Sequence, residues 1–147
     1  RNIEWPVVVM LAAMIPVGQA LETSGISLNI ANFISASTEG MALPWLILMV
    51  LVITMFVSDI VNNAATAVIM APIAANLAIQ VGQPVEPFLM AVAVGASCAF
   101  LSPIGHQCNT LVMAPGNYKF GDYWRLGLPL ECVIVAISIP MILFVWT

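Results

Sequence analysis

Ser58-Asp59-Ile60-Val61-Asn62-Asn63-Ala64-Ala65-Thr66 is a polar break set inside apolar sequence. The chain is apolar from Leu43 up to this break and apolar again from Ala67 to Ile79. Each arm holds about 15–18 residues, or about 22–27 Å of helix. A hydrocarbon core is about 30 Å thick, so each arm falls short of a full crossing. The tip between them carries no Lys or Arg and has no ordinary loop composition. Unwound backbone at membrane depth is tolerated only where protein buries it or where it lines a wet cavity. The stretch over 43–79 therefore predicts a re-entrant hairpin rather than two spans. Ala64, Ala65 and Ala67 let its tip pack closely against other helices.

A second break, Ser102-Pro103-Ile104-Gly105-His106-Gln107-Cys108-Asn109, interrupts a helix expected from Pro87 to Leu101. Proline removes a backbone donor and glycine permits unusual dihedrals. Apolar sequence resumes from Thr110 to Ala114 and stops at Pro115-Gly116, which predicts one discontinuous span over 87–115. Working outward, Trp5 to Leu21 reads as a first span, kinked by Pro16 and Gly18. Ile26 to Ile34 is too short to cross and reads as an interfacial segment or connector. Gly82-Gln83-Pro84 marks a surface turn, Asn117 to Arg125 a polar loop, and 126–146 a last span with Trp124 and Trp146 as interfacial anchors.

The chain of 147 residues is 62% hydrophobic and 7% charged. Soluble domains carry about 25% charge, so this is an integral membrane protein. Its three cationic residues cannot track a phosphate backbone, which excludes nucleic acid. Cys98, Cys108 and Cys132 lack the spacing of a disulfide framework or a zinc site. The chain opens at Arg1 without a signal peptide and reads as the C-terminal part of a longer protein, one transmembrane domain over 1–147. Arg1, Lys119 and Arg125 are expected in the cytoplasm by the positive-inside rule, with Glu22, Glu39 and Glu86 outside. The hairpin then enters and leaves from outside, and the broken helix returns inward.

Two breaks facing each other in a membrane predict an ion and solute site. A hard cation such as sodium takes side-chain amides, hydroxyls and unwound carbonyls as ligands. The hairpin tip offers the Ser58 hydroxyl, the Asn63 amide and carbonyls near Val61. The broken helix offers carbonyls around Gly105 and the Asn109 side chain. The resumed half-helix points a positive N-terminus into the same cavity, which suits an anionic solute. Asn62 and Asn63 serve such a site or simply bond neighbouring helices. Asp59 is a functional residue, a cap for the second hairpin arm, or the partner of a cation elsewhere in the protein. His106 is structural or contacts protons or an anion, and Glu131 reads as a residue near the cytoplasmic boundary. No nucleophile–base pair or metal cluster is visible in the spans, so no enzyme is expected.

Ser58-Asp-Ile-Val-Asn-Asn-Ala-Ala-Thr-Ala followed by Val68-Ile-Met-Ala-Pro72 resembles the second hairpin motif of the divalent anion:sodium symporters (solute carrier family 13 type). Ser102-Pro-Ile-Gly-His-Gln-Cys-Asn-Thr-Leu-Val112, with Gly116-Asn-Tyr-Lys-Phe-Gly-Asp-Tyr-Trp124, resembles that family's broken helix and following loop. The Gly-His-Gln form is most similar to its sulfate-transporter-like branch. The resemblance implies two inverted repeats, each with a re-entrant hairpin and a discontinuous helix, this all-α chain being the second. It implies a homodimer in the cell membrane, expected to be the bacterial inner membrane, that symports sodium with a sulfate-like or dicarboxylate anion by an elevator motion. By position it makes Ser58, Asn63 and the carbonyls of Val61 and Gly105 sodium ligands, and Asn62, Asn63, Ala64, His106 and Gln107 substrate contacts. The family's usual Ser-Asn-Thr is Asn62-Asn63-Ala64 here, so two hydroxyls are lost and one amide gained. His106-Gln107 replaces the usual Thr-Pro, and Thr66 is a candidate to restore a hydroxyl. The alternative is a proton-coupled or arsenite- or antiporter-type transporter, with Asp59 or His106 carrying protons.

Overall fold

A computed structural model describes residues 9, 12, 13, 16–20, 23–38 and 40–146, with the side chains of Ser37 and Gln107 excepted. The expected first span and the Pro16 kink lie largely outside the described residues. Within them, 16–20 are helical, and Gly18 comes so close to Val68 that an added Cβ would sit 2.9 Å from its Cγ1.

Among the described residues the regular structure is entirely helical. The helices are α1 (Ile26–Ser37), α2 (Leu43–Ile60), α3 (Asn63–Gln80), α4 (Val85–Ala96), α5 (Gln107–Met113) and α6 (Tyr123–Trp146), with a 3₁₀ turn at Phe120–Asp122 before α6. Leu43–Ile60, Asn63–Gln80 and Phe120–Trp146 are long and apolar enough to cross a membrane, so the two arms have the length of spans, whereas the sequence reading has each falling short of a full crossing. The two hairpin arms hold 18 residues each, as read from the sequence, and α6 holds 24. α1, at 12 residues, is about 18 Å long and too short to cross. It docks on α3, where Asn76 Nδ2 donates to Ser27 Oγ at 3.3 Å.

The side-chain period explains the core. On α2 the buried residues are Leu46, Ile47, Val50, Leu51, Thr54, Met55, Ser58 and Asp59, adjacent pairs repeating every fourth residue. That spacing gives one stripe on one face of a helix. The stripe starts aliphatic and ends polar, so the face that buries Leu46 and Ile47 also buries Ser58 and Asp59. α3 buries Ala65, Thr66, Met70, Ile73, Ala74, Leu77 and Ala78 by the same logic, and α4 buries Pro87, Phe88, Ala91, Val92, Gly95 and Ala96. α4 packs against both hairpin arms. Gly95 permits the closest approach: a Cβ there would lie 2.9 Å from both the Leu51 carbonyl oxygen and Thr54 Cβ.

Several boundaries differ from the sequence reading: α1 runs to Ser37 rather than Ile34, α4 starts at Val85 rather than Pro87, and α5 starts at Gln107 rather than Thr110. α4 ends at Ala96 rather than Leu101. Ser97 N and Cys98 N close a last turn on the carbonyls of Val94 and Gly95. Leu101 N then leaves the helical ladder for Asp59 Oδ1 of α2, at 3.0 Å. A carboxylate from a neighbouring helix thus takes the Leu101 amide in place of the i−4 carbonyl, so the chain beyond Ala96 does not return to helix before its proline. The polar loop is also shorter than Asn117 to Arg125, because α6 already begins at Tyr123. Asp122 nucleates it: its Oδ2 accepts from Lys119 N at 2.8 Å while its own N–H donates to the Lys119 carbonyl at 2.9 Å. Trp124 and Trp146, both exposed, sit near the two ends of α6 as expected of anchors.

Candidate functional site at the hairpin tip and the helix break

α2 and α3 are joined by only Val61 and Asn62, both extended, with ψ of 156° and 154°. A turn this tight leaves the first N–H groups of α3 in need of acceptors. Asn62 supplies one, its Oδ1 accepting from Ala65 N at 2.8 Å. Asn62, Asn63 and Ala64 are thus the N-cap and first two residues of α3. The break in the second element repeats the pattern. His106 is extended and caps α5, with Nδ1 accepting from Cys108 N at 3.1 Å, and Gln107 opens the helix. Both stretches expected to meet an anion are helix N-termini, where unpaired N–H groups and the helix dipole present positive charge. Asn62 and His106 are exposed and Ala64 is half-buried.

Behind these two caps the polar groups converge. Ser58, with no exposed surface, donates from Oγ to the Ala96 carbonyl at 2.8 Å. The Asn63 amide lies 3.0 Å from Ser58 Oγ. Its orientation follows from its neighbours. With the nitrogen turned inward, its two N–H groups face three acceptors, Ser58 Oγ at 3.0 Å, the Ala96 carbonyl at 3.2 Å and the Gly105 carbonyl at 3.2 Å. Three oxygens from α2, the C-terminus of α4 and the linker therefore surround one side-chain amide of α3. Gly105 is required there. A Cβ on it would sit 2.7 Å from the Ser58 carbonyl oxygen and 3.1 Å from Asp59 Cα.

The structure brings Ser58, Asn63 and the Gly105 carbonyl together. Val61 forms the tip beside them, its N–H closing α2 on the Val57 carbonyl at 2.8 Å. The Ala96 carbonyl completes the group and was missed in the sequence, because a carbonyl becomes available only where a helix ends. Asn109 braces the linker: its Nδ2 donates to the carbonyls of Ala99 and Ser102 at 2.8 and 3.1 Å. Thr110 Oγ1 adds a bond to the Pro103 carbonyl at 2.6 Å. Thr66 is fully buried on the first turn of α3, with its hydroxyl enclosed and unbonded. Asp59 does not cap α3, since Asn62 does. It holds the linker instead, through Leu101 N and through its own carbonyl, which accepts from Ser102 Oγ at 2.6 Å. Glu131 is buried on α6.

Three helices long and apolar enough to cross a membrane make this a multi-pass membrane protein, with two helix N-termini paired around buried oxygens. The sequence profile of the citrate transporter family matches residues 1–95 and 41–147, and the chain belongs to that family. It is 38% identical to the uncharacterized transporter YfbS of Escherichia coli over 97% of this chain and 23% of that protein. It is 32% identical to probable sodium/sulfate cotransporter 3 of Chlamydomonas reinhardtii, over 94% of this chain and 16% of the relative. It is 31% identical to sodium-dependent high-affinity dicarboxylate transporter 3 of Caenorhabditis elegans, over 90% of this chain and 24% of the relative. The chain thus spans a quarter or less of the length of these relatives.

Proposed function

We propose that this chain is the second inverted repeat of a secondary active transporter that moves sodium together with a small divalent anion, sulfate-like or dicarboxylate. The observation that carries this is the meeting of Ser58 Oγ, the Asn63 amide and the carbonyls of Ala96 and Gly105 behind two helix N-termini. Sodium takes its oxygens from Ser58, Ala96 and Gly105, from the Val61 carbonyl at the tip, and from Asn63 once its amide turns Oδ1 inward. The C-terminal end of α4 contributes the negative end of its dipole to the cation. The anion sits beside it on the N-termini at Asn62, Asn63 and Ala64 and at His106 and Gln107, opposite in charge to the sodium and attracted by it. Thr66 stands behind the tip as a supporting residue. Since the cation ligands come from α2, the tip, α3, the end of α4 and the linker, filling the site ties the hairpin to the linker. Each ligand thereby raises the affinity for the other.

The hairpin re-enters from outside, the first repeat supplies a second cation site, and the loaded domain moves as an elevator within a homodimer. Proton coupling is the alternative reading: Asp59 Oδ1 is held by Leu101 N while its Oδ2 is enclosed without a hydrogen-bond partner, and His106 Nδ1 is held by Cys108 N. The test is uptake of radiolabelled sulfate and succinate by the full-length protein in proteoliposomes, under an inward sodium gradient and then a proton gradient alone. Sodium should drive uptake, and Asn63→Ala should abolish it without loss of membrane insertion. Uptake driven by protons alone, or sodium affinity unchanged in Asn63→Ala, would overturn the assignment.

A further inference from the structure

One hydroxyl joins the linker between α4 and α5 to the hairpin backbone. Ser102 Oγ donates to the Asp59 carbonyl at 2.6 Å and accepts from Ile104 N and Gly105 N, each at 3.2 Å. A serine hydroxyl has one proton and two lone pairs, so its bonding capacity is fully taken. Asp59 follows Ser58 in the chain, and Gly105 carries a carbonyl that faces Asn63. The path from Ser58 through the Asp59 carbonyl, the Ser102 hydroxyl and the Gly105 amide therefore links two proposed cation ligands. It crosses between elements 43 residues apart in sequence.

Gly105 is held at two of its atoms. Its N–H is taken by Ser102 Oγ, and among the described residues neither this amide nor that of Ile104 has a second partner. Its Cα is pressed against α2 and the linker: an added Cβ would sit 2.7 Å from both the Ser58 carbonyl oxygen and Ala99 Cβ. With N and Cα both held, only rotation about the following bond is left to turn its carbonyl away from Asn63. Ser102 is itself anchored to α5, its carbonyl accepting from Asn109 Nδ2 at 3.1 Å. The remaining brace from α5, Thr110 Oγ1 to the Pro103 carbonyl, touches neither Asp59 nor Gly105.

We propose that Ser102 is a positioning residue for the cation: its hydroxyl ties the Gly105 carbonyl to the α2 backbone beside Ser58. This rests on the sodium site proposed above. The test uses the full-length protein in proteoliposomes and reads three quantities: the sodium concentration for half-maximal uptake, the anion KM at saturating sodium, and hydrogen exchange at Ile104 and Gly105. Ser102→Ala removes all three bonds and should raise sodium half-saturation about tenfold, with the anion KM moving less than about threefold. Ser102→Thr keeps the hydroxyl and should stay within about twofold of wild type. Thr110→Val removes a linker bond outside the path and should also stay within about twofold. If Ser102→Ala does not insert, Ser102→Cys takes its place: a thiol is the weaker donor and acceptor, so sodium half-saturation should rise about threefold. Unchanged sodium half-saturation in whichever of these two variants inserts would overturn the proposal. So would Ser102→Thr or Thr110→Val as impaired as that variant. If wild type shows no sodium dependence, the sodium site itself fails and exchange alone decides whether Ser102 holds Gly105. Faster exchange at Ile104 and Gly105 in Ser102→Ala or Ser102→Cys but not in Ser102→Thr supports the hold, and unchanged exchange overturns it.

Discussion

Asn62 shows how one side chain answers to two demands. Its Oδ1 satisfies Ala65 N at the start of α3, and the remainder of its exposed amide borders the proposed anion. Losing an N-cap typically costs about 1 kcal/mol, so Asn62→Ala confounds folding with transport. Asn62→Asp separates them. Aspartate caps about as well as asparagine, so thermal stability in detergent should change by less than about 0.5 kcal/mol. The added negative charge, however, faces an incoming anion and should raise the anion KM about tenfold, with sodium half-saturation changing less. An anion KM unchanged in Asn62→Asp would leave Asn62 as a cap only. Ser58 and Asn63 were legible because polar residues inside an apolar run have few reasons to be there. The burial of Glu131 was not legible, because a single acid in a final span does not show which helices pack around it.

Among the elements, α4 decides how closely the two hairpin arms are held. Gly95 lies where a side chain would strike the Leu51 carbonyl and Thr54, and Thr54 is locked by its own bond to the Val50 carbonyl at 2.6 Å. Gly95→Ala should therefore destabilise by about 1–3 kcal/mol through overpacking, read as a lower unfolding temperature in detergent. Gly121→Ala, with nothing within 4 Å of its Cβ, should leave that temperature unchanged and serves as the control. Equal temperatures for wild type and Gly95→Ala would mean that α4 is not packed as described. The hairpin arms were legible to within a residue or so, because an apolar run and a polar tip are local signals. The end of α4 was misplaced by five residues, Ala96 against Leu101. Asp59, which takes the Leu101 amide beyond that end, is 42 positions from Leu101 in sequence. No local propensity carries that information, whereas Pro103 and Gly105 advertise a break only in its second half. Asp122, which starts α6 early, was likewise read as loop polarity rather than as a cap.

For the whole molecule the decisive question is which faces the elements reach. α4 and α5 alone supply about 18 Å and about 10 Å of helix, so neither crosses a core of about 30 Å. The ten-residue linker 97–106 must therefore lie at membrane depth if α4 and α5 together form one span. Its backbone is suited to that position. Asp59, Asn109, Thr110 and Ser102 side chains bond its amides and carbonyls, so few polar backbone groups are left to meet lipid. Glu86 on the first turn of α4 and Lys119 after α5 then belong on opposite faces, Lys119 with Arg125 on the cytoplasmic one. In a full-length background with its native cysteines replaced, Glu86→Cys should react with a membrane-impermeant thiol reagent only from outside in sealed cells. Lys119→Cys should react only after the membrane is opened. Reaction of both from one face would mean that the chain turns back at the linker. The carbonyls of Ala96 and Gly105 would then belong to a second re-entrant loop, and α6 would have to run in the opposite direction.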